Sequence, residues 1–93
     1  MQNVFVAEDL QYFEAPEGSN CPINQMITSE SMCKHAVSQI KGLIYRFPVH
    51  RTDRHAGCYH GKGRQGHFNK ITDPSATTIS YKEHHKGICK KVI

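Results

Sequence analysis

Tryptophan is absent from these 93 residues, and so is any long apolar run, the longest being Val4-Phe5-Val6-Ala7. A membrane-spanning helix needs about 20 consecutive apolar residues, so no such span is expected. Apolar side chains make up 38% of the chain, with four Tyr and four Phe. A domain this short buries only about 60–65% of its unfolded surface, so its core is thin and a covalent staple is expected. Cys-x-x-Cys, the usual half of a structural zinc site, is also missing. The four cysteines, Cys21, Cys33, Cys58 and Cys89, stand 12, 25 and 31 residues apart. An even number of widely spaced cysteines in a short chain suits two disulfides, which form in oxidising places: outside the cell, in a secretory or thylakoid lumen, or on a virion. Met1-Gln2-Asn3-Val4 has no basic stretch leading into an apolar one and does not read as a signal peptide. The expectation is a mature segment with an added Met. No Asn-x-Ser/Thr glycosylation acceptor occurs.

Lysine and arginine are missing from residues 1–33, which hold Glu8, Asp9, Glu14, Glu17 and Glu30. All twelve bases and all seven histidines fall in residues 34–93, with only Asp53, Asp73 and Glu83 against them. A balance of −5 against +9 gives the net charge of +4. It predicts that the acidic arm folds back onto the basic body.

What is present reads as one α+β domain: an extended arm over 1–18 and a disulfide-stapled module over 19–93. Val4-Phe5-Val6 and Leu10-Gln11-Tyr12-Phe13 carry strand formers, and Ala15 to Asn20 is punctuation. A helix follows, with Thr28 or Ser29 as N-cap and Glu30 at the positive end of the dipole. Cys33, Ala36, Val37 and Ile40 repeat at i, i+3, i+4, i+7, the signature of a buried face, and Gly42 ends the helix. Leu43 to Phe47 reads as a strand stopped by Pro48, and Val49 to Ala56 as a polar basic loop. Further strands are expected at Gly57–His60, Gly66–Asn69, Ile79–Tyr81 and Ile88–Ile93, giving one helix on an antiparallel sheet of about five strands. Cys33 faces the core from the helix and Cys58 opens the central hairpin. Of the three possible pairings this favours Cys33–Cys58, with Cys21–Cys89 closing the ends.

Cys21-Pro22, Ile27-Thr28-Ser29-Glu30, Cys33 with Ala36, Gly57-Cys58-Tyr59, Phe68-Asn69 and Ile88-Cys89-Lys90 occur in this order along the chain. Their order over residues 19–91 resembles a small cysteine-rich module of extracellular and surface proteins of algae and other marine protists. The helix-on-sheet plan is more loosely similar to the PAN/apple fold, in which a helical cysteine is tied to the sheet. The resemblance implies adhesion to proteins or carbohydrates without catalysis. It transfers no site residue.

Chemistry-bearing motifs are few. Gly61-Lys62-Gly63-Arg64-Gln65-Gly66 has the letters of a dinucleotide fingerprint, but no helix is expected after it, so it reads as a hairpin loop and no cofactor is implied. His50, His55, His60, His67 and the pair His84-His85 lack a short chelating interval, so no metal site is assigned. Asp53-Arg54-His55 with His60, His67 and Asn69 has the residue types of a ββα-metal nuclease without the helix that would hold a ligand. A histidine-dependent metal protein of that kind is one alternative, and no enzyme is expected. Arg46, Arg51, Arg54, Lys62 and Arg64, beside Tyr45, Phe47 and Tyr59, are the candidate ligand-binding residues. Converging positive charge fits an anionic glycan or an acidic protein surface. Nucleic acid fits least, since no helix-turn-helix, zinc finger or RNP motif occurs. The other alternative is a small structural subunit of a capsid or membrane complex. If His50, His55 and His60 line the basic surface, binding should tighten between pH 7.5 and 5.5.

Overall fold

The computed structural model describes residues 11–78 and 85–91. The strands expected at Val4–Val6 and Ile79–Tyr81 and the side chains of Lys82, Glu83 and His84 lie outside the described residues. Among these residues there are five strands: β1 (Tyr12–Glu14), β2 (Ile44–Val49), β3 (Gly57–His60), β4 (Gln65–Asn69) and β5 (Lys86–Lys90). One α-helix among them, α1 (Glu30–Gln39), packs on the strands. The α+β class and both disulfides, Cys21–Cys89 and Cys33–Cys58, are as the sequence led one to expect.

Helix α1 starts where Ser29 accepts a hydrogen bond on its side-chain oxygen from the Met32 N–H at 3.2 Å, with Glu30 in the first turn. It ends earlier than the glycine suggested, at Gln39, and Gly42 takes a positive φ of 88° in the turn beyond. Cys33, Ala36 and Val37 are buried from it and meet Ile27, Cys58, Phe68 and Ile88 in the main core. Gly66 lies directly beneath the helix: a Cβ there would stand 2.5 Å from a Val37 methyl. Of the glycines in the β3–β4 turn only Gly63 needs its backbone freedom, at φ 67°. Gly66 is there for closeness.

Strand order is β1-β5-β3-β4-β2. All pairs are antiparallel except β2 with β4, which run parallel, so the sheet is mixed rather than wholly antiparallel. Strand β3 is flanked by β4 and β5, so β2 adds at the open edge of β4. Because the chain reverses between β2 and β3 and again in the β3–β4 hairpin, β2 and β4 run in the same direction. Pro48 does not stop β2. It pairs opposite Phe68 across a register irregularity, on an edge strand where a missing N–H is tolerated.

Alternation separates the two faces of the sheet. Cys58, Gly66, Phe68 and Ile88 face the helix. Tyr59, Gln65, His67, Asn69 and Cys89 face the other way. One disulfide serves each face: Cys33–Cys58 ties the helix down, and Cys21–Cys89 belongs to a second buried cluster with Ala15, Met26 and Ala56. Toward β2 no helix among the described residues covers this second face.

Candidate functional site

Asn69 builds the site. It is fully buried at the end of β4, where nothing apolar could substitute for its hydrogen bonds. Its Nδ2 donates to the carbonyls of Arg51 (2.8 Å) and His55 (2.9 Å), and its Oδ1 accepts from the N–H groups of Arg51 (3.2 Å) and Ile71 (3.1 Å). The basic loop is thereby folded against the helix-free face of the sheet. Buried loop backbone needs such partners, and one amide satisfies four groups.

Between this loop, β2 and the β3–β4 turn lies a cleft of about 270 Å³, bordered by Phe47, Arg51, Arg54, Tyr59, Lys62, Gln65, His67 and His85 among others. Its aromatic side centres on Tyr59. The Tyr59 ring lies 5.8 Å from His85, stacked, and 5.4 Å from His67, tilted. Phe47 meets His67 edge-on at 4.8 Å. Behind them His55 stacks on Tyr59 at 5.9 Å and lies 6.4 Å from His85.

The cations are fewer in effect than in number. Asp53 lies 2.9 Å from Arg51 Nε, which donates to Oδ1, and 3.0 Å from Arg54 Nη1 at Oδ2. The Arg51 hydrogen bond, with the charges of Arg54 and Arg51, holds the Asp53 carboxyl below its ordinary range. Two arginines share the Asp53 carboxylate, which offsets part of the loop's positive charge, and Lys62 adds a cation across the cleft. Arg46 is exposed on β2 and close enough for its charge to act on His67. Arg64 borders a separate hollow with Glu14, Lys41 and His60. Of the five cations singled out in the sequence, three line one cleft, one stands beside it and one is elsewhere.

The histidines are placed differently from the expectation. His50 is exposed. His55 is fully buried, and neither ring nitrogen has a hydrogen bond of good geometry. Burial, with the neighbouring His85, pushes it down to about 4, weakly opposed by the Ser19 backbone. His60 lies 3.1 Å from a Glu14 oxygen and 2.6 Å from the Gly63 carbonyl oxygen. Lys86 stands 3.7 Å from the same Glu14 oxygen, so the acidic arm does fold onto the basic body at this point. The histidines of the cleft are His67 and His85. Among the described residues no group of three or more His, Cys, Asp or Glu side chains could hold a metal ion.

No family model, curated protein or solved structure matches this chain. Its function is therefore argued from the cleft itself. The sequence signal for Gln65, His67 and Asn69 was alternation, since every second residue of β4 shares the face of Tyr59. Asn69 as the organiser of the loop had no such signal.

The two disulfides imply an oxidising compartment. Among the described residues no helix is long and apolar enough to cross a membrane.

Proposed function

We propose that this is a non-catalytic binding module, extracellular or lumenal, that docks an anionic glycan in the cleft formed by Arg51, Arg54 and Lys62. The observation that carries this reading is the meeting of those cations with the half-exposed ring of Phe47 in one concavity, with the buried Tyr59 ring behind it. Sugars present apolar ring faces to aromatic side chains, and their sulfate or carboxylate groups are acceptors for guanidinium and ammonium donors. The cleft is smaller than the roughly 300–1,000 Å³ sites that engulf a drug-sized ligand, which suits one residue of a longer chain. A concave site favours a glycan over a flat acidic protein surface.

The test is retention on heparin resin over a salt gradient, because contacts between exposed charges are screened beyond about 8 Å at physiological ionic strength. Arg54→Ala with Lys62→Ala should elute at clearly lower salt than the parent, and Lys90→Ala with Lys91→Ala should shift less. Equal elution for all three proteins would reduce the cleft to a solubilising surface. A second reading, a subunit of a larger assembly, is favoured by one feature: Ile44 is 60% exposed on β2, an edge strand. Sedimentation of the isolated chain as a monomer at all concentrations, together with heparin retention, would remove that support.

A further inference from the structure

The hydrogen bonds of His67 fix how its ring can serve this cleft. It is 7% exposed, on β4. Its Nδ1 lies 3.1 Å from the Phe47 carbonyl oxygen, which can only accept, so Nδ1 carries a hydrogen. In the neutral ring Nε2 is then the lone-pair nitrogen. Nε2 lies 3.3 Å from Gln65 Oε1, and His67 and Gln65 both border the cleft. An amide can present either its NH2 or its oxygen, so Gln65 can serve Nε2 as donor or as acceptor.

The surroundings decide when the second proton is held. The groups facing His67 are Arg46 and Phe47 from β2, Arg51 and Arg54 from the loop with Asp53 between them, Lys62 from the turn, Tyr59 from β3 and His85 ahead of β5. Among the described residues the charged ones are cations except Asp53, which lies against both Arg51 and Arg54. In the protein alone burial opposes the imidazolium first, the Phe47 carbonyl favours it, and the charges of Arg46 and Arg54 oppose it further. A sulfate or carboxylate beside Arg54 and Lys62 reverses the balance, because it puts a negative charge against a ring with one nitrogen left to protonate.

We infer that an anion entering this cleft brings one proton with it, held on Nε2 of His67, so that capture is strengthened in mild acid and weakened in alkali. This rests on the anionic-glycan reading above and adds its regulation. The sign follows from linkage. If the ring holds its proton more firmly in the complex than in the free protein, the complex binds more protons, and affinity rises as pH falls through the complex's titration. It levels off once the free protein is protonated too. The limit for one proton is about tenfold per pH unit.

The test is calorimetric titration of the full, oxidised chain with a size-defined heparin oligosaccharide at pH 7.5, 6.5 and 5.5, at constant ionic strength. Repeating each titration in two buffers of different ionisation enthalpy counts the protons taken up. The expected result is a Kd that falls about fivefold or more from pH 7.5 to 5.5, with uptake approaching one proton. His67→Gln should flatten that profile. Since a buried substitution can unfold the domain, the imidazole NMR titration of His67 in the parent serves as the second measurement, and its midpoint should move to higher pH on adding the oligosaccharide. Three outcomes overturn the inference: a pH-independent Kd, a profile that persists in His67→Gln, or an unmoved His67 midpoint. If Arg54→Ala still weakens binding in those cases, the anionic cleft stands without its proton. Absence of binding at every pH would overturn both.

Discussion

His55 is a base folded into a place where it cannot be one. Neutral imidazole is accommodated between Tyr59 and His85, whereas the charged form would be buried beside a second histidine. The unfolded chain takes up the proton near the reference pKa of about 6.5 and the folded chain only near 4, so the unfolded state binds more protons throughout that window. Stability is therefore full above about pH 6.5 and is lost as pH falls toward 4. The upper figure for the loss is about 3 kcal/mol, less wherever solvent reaches the ring. Denaturant midpoints between pH 7 and 4 should fall in the parent, and His55→Phe should flatten much of the slope. A parent midpoint that stays constant would mean that solvent reaches His55. This acid lability opposes the tightening at the cleft, and the separation of His55 from His67 lets the two be measured apart. Neither role is legible in the sequence, where a histidine in a polar basic loop reads as a surface residue. Burial of His55 follows from the loop path that Asn69 imposes, and nothing local to position 55 announces it.

At the scale of elements, the contact between α1 and β4 is set by one absent side chain. Gly66→Ala would drive a methyl into Val37 at 2.5 Å and should cost about 1–3 kcal/mol by overpacking. Val37→Ala alone should cost about 1.5–3 kcal/mol of lost burial. The double variant should be more stable than the sum of the two losses, because each change makes room for the other. A thermodynamic cycle from urea titrations measures that coupling, and strict additivity would place the helix elsewhere on the sheet. The helix was legible because a 3.6-residue period named Cys33, Ala36 and Val37 without reference to the rest of the chain. Strand positions were legible for the same reason, including Gly57–His60, which matched its expected bounds. Direction was not. Alternation of period two reads the same for a parallel and an antiparallel partner, so nothing in Ile44–Val49 tells that β2 runs with β4 rather than against it. Pro48 misled for a related reason: a proline stops a central strand but is admissible at an edge, and edge position is a property of the whole sheet.

For the molecule as a whole, the nested bridges close loops with separations of 25 and 68 residues. The chain-entropy model gives roughly 3.5 and 4.4 kcal/mol for them as separate, non-additive figures. A thin core leaves little to replace either, so reduction should abolish cooperative unfolding at 37 °C, and intact mass under non-reducing conditions should be four hydrogens below that of the reduced chain. A reduced chain with an unchanged thermal midpoint would mean that the core suffices alone. The outer bridge has a mechanical consequence as well. Tyr12 of β1 pairs with Lys90 of β5, so tension entering before residue 12 and leaving after residue 90 meets the two strands side by side and opens them like a zipper, bond by bond. That opening ends at Cys21–Cys89, where a covalent link 5.6 Å long between Cα atoms takes the load. The helix, the remaining strands and the cleft lie on the slack side of this link and carry no force. Pulled between its ends in a single-molecule instrument, the oxidised protein should lengthen only by the chain outside the bridge, residues 1–20 and 90–93. After full reduction the same pull should release a further length of about 220–240 Å, the extended reach of the enclosed chain. Whatever occupies the cleft would then be held by structure that tension on the chain ends does not reach.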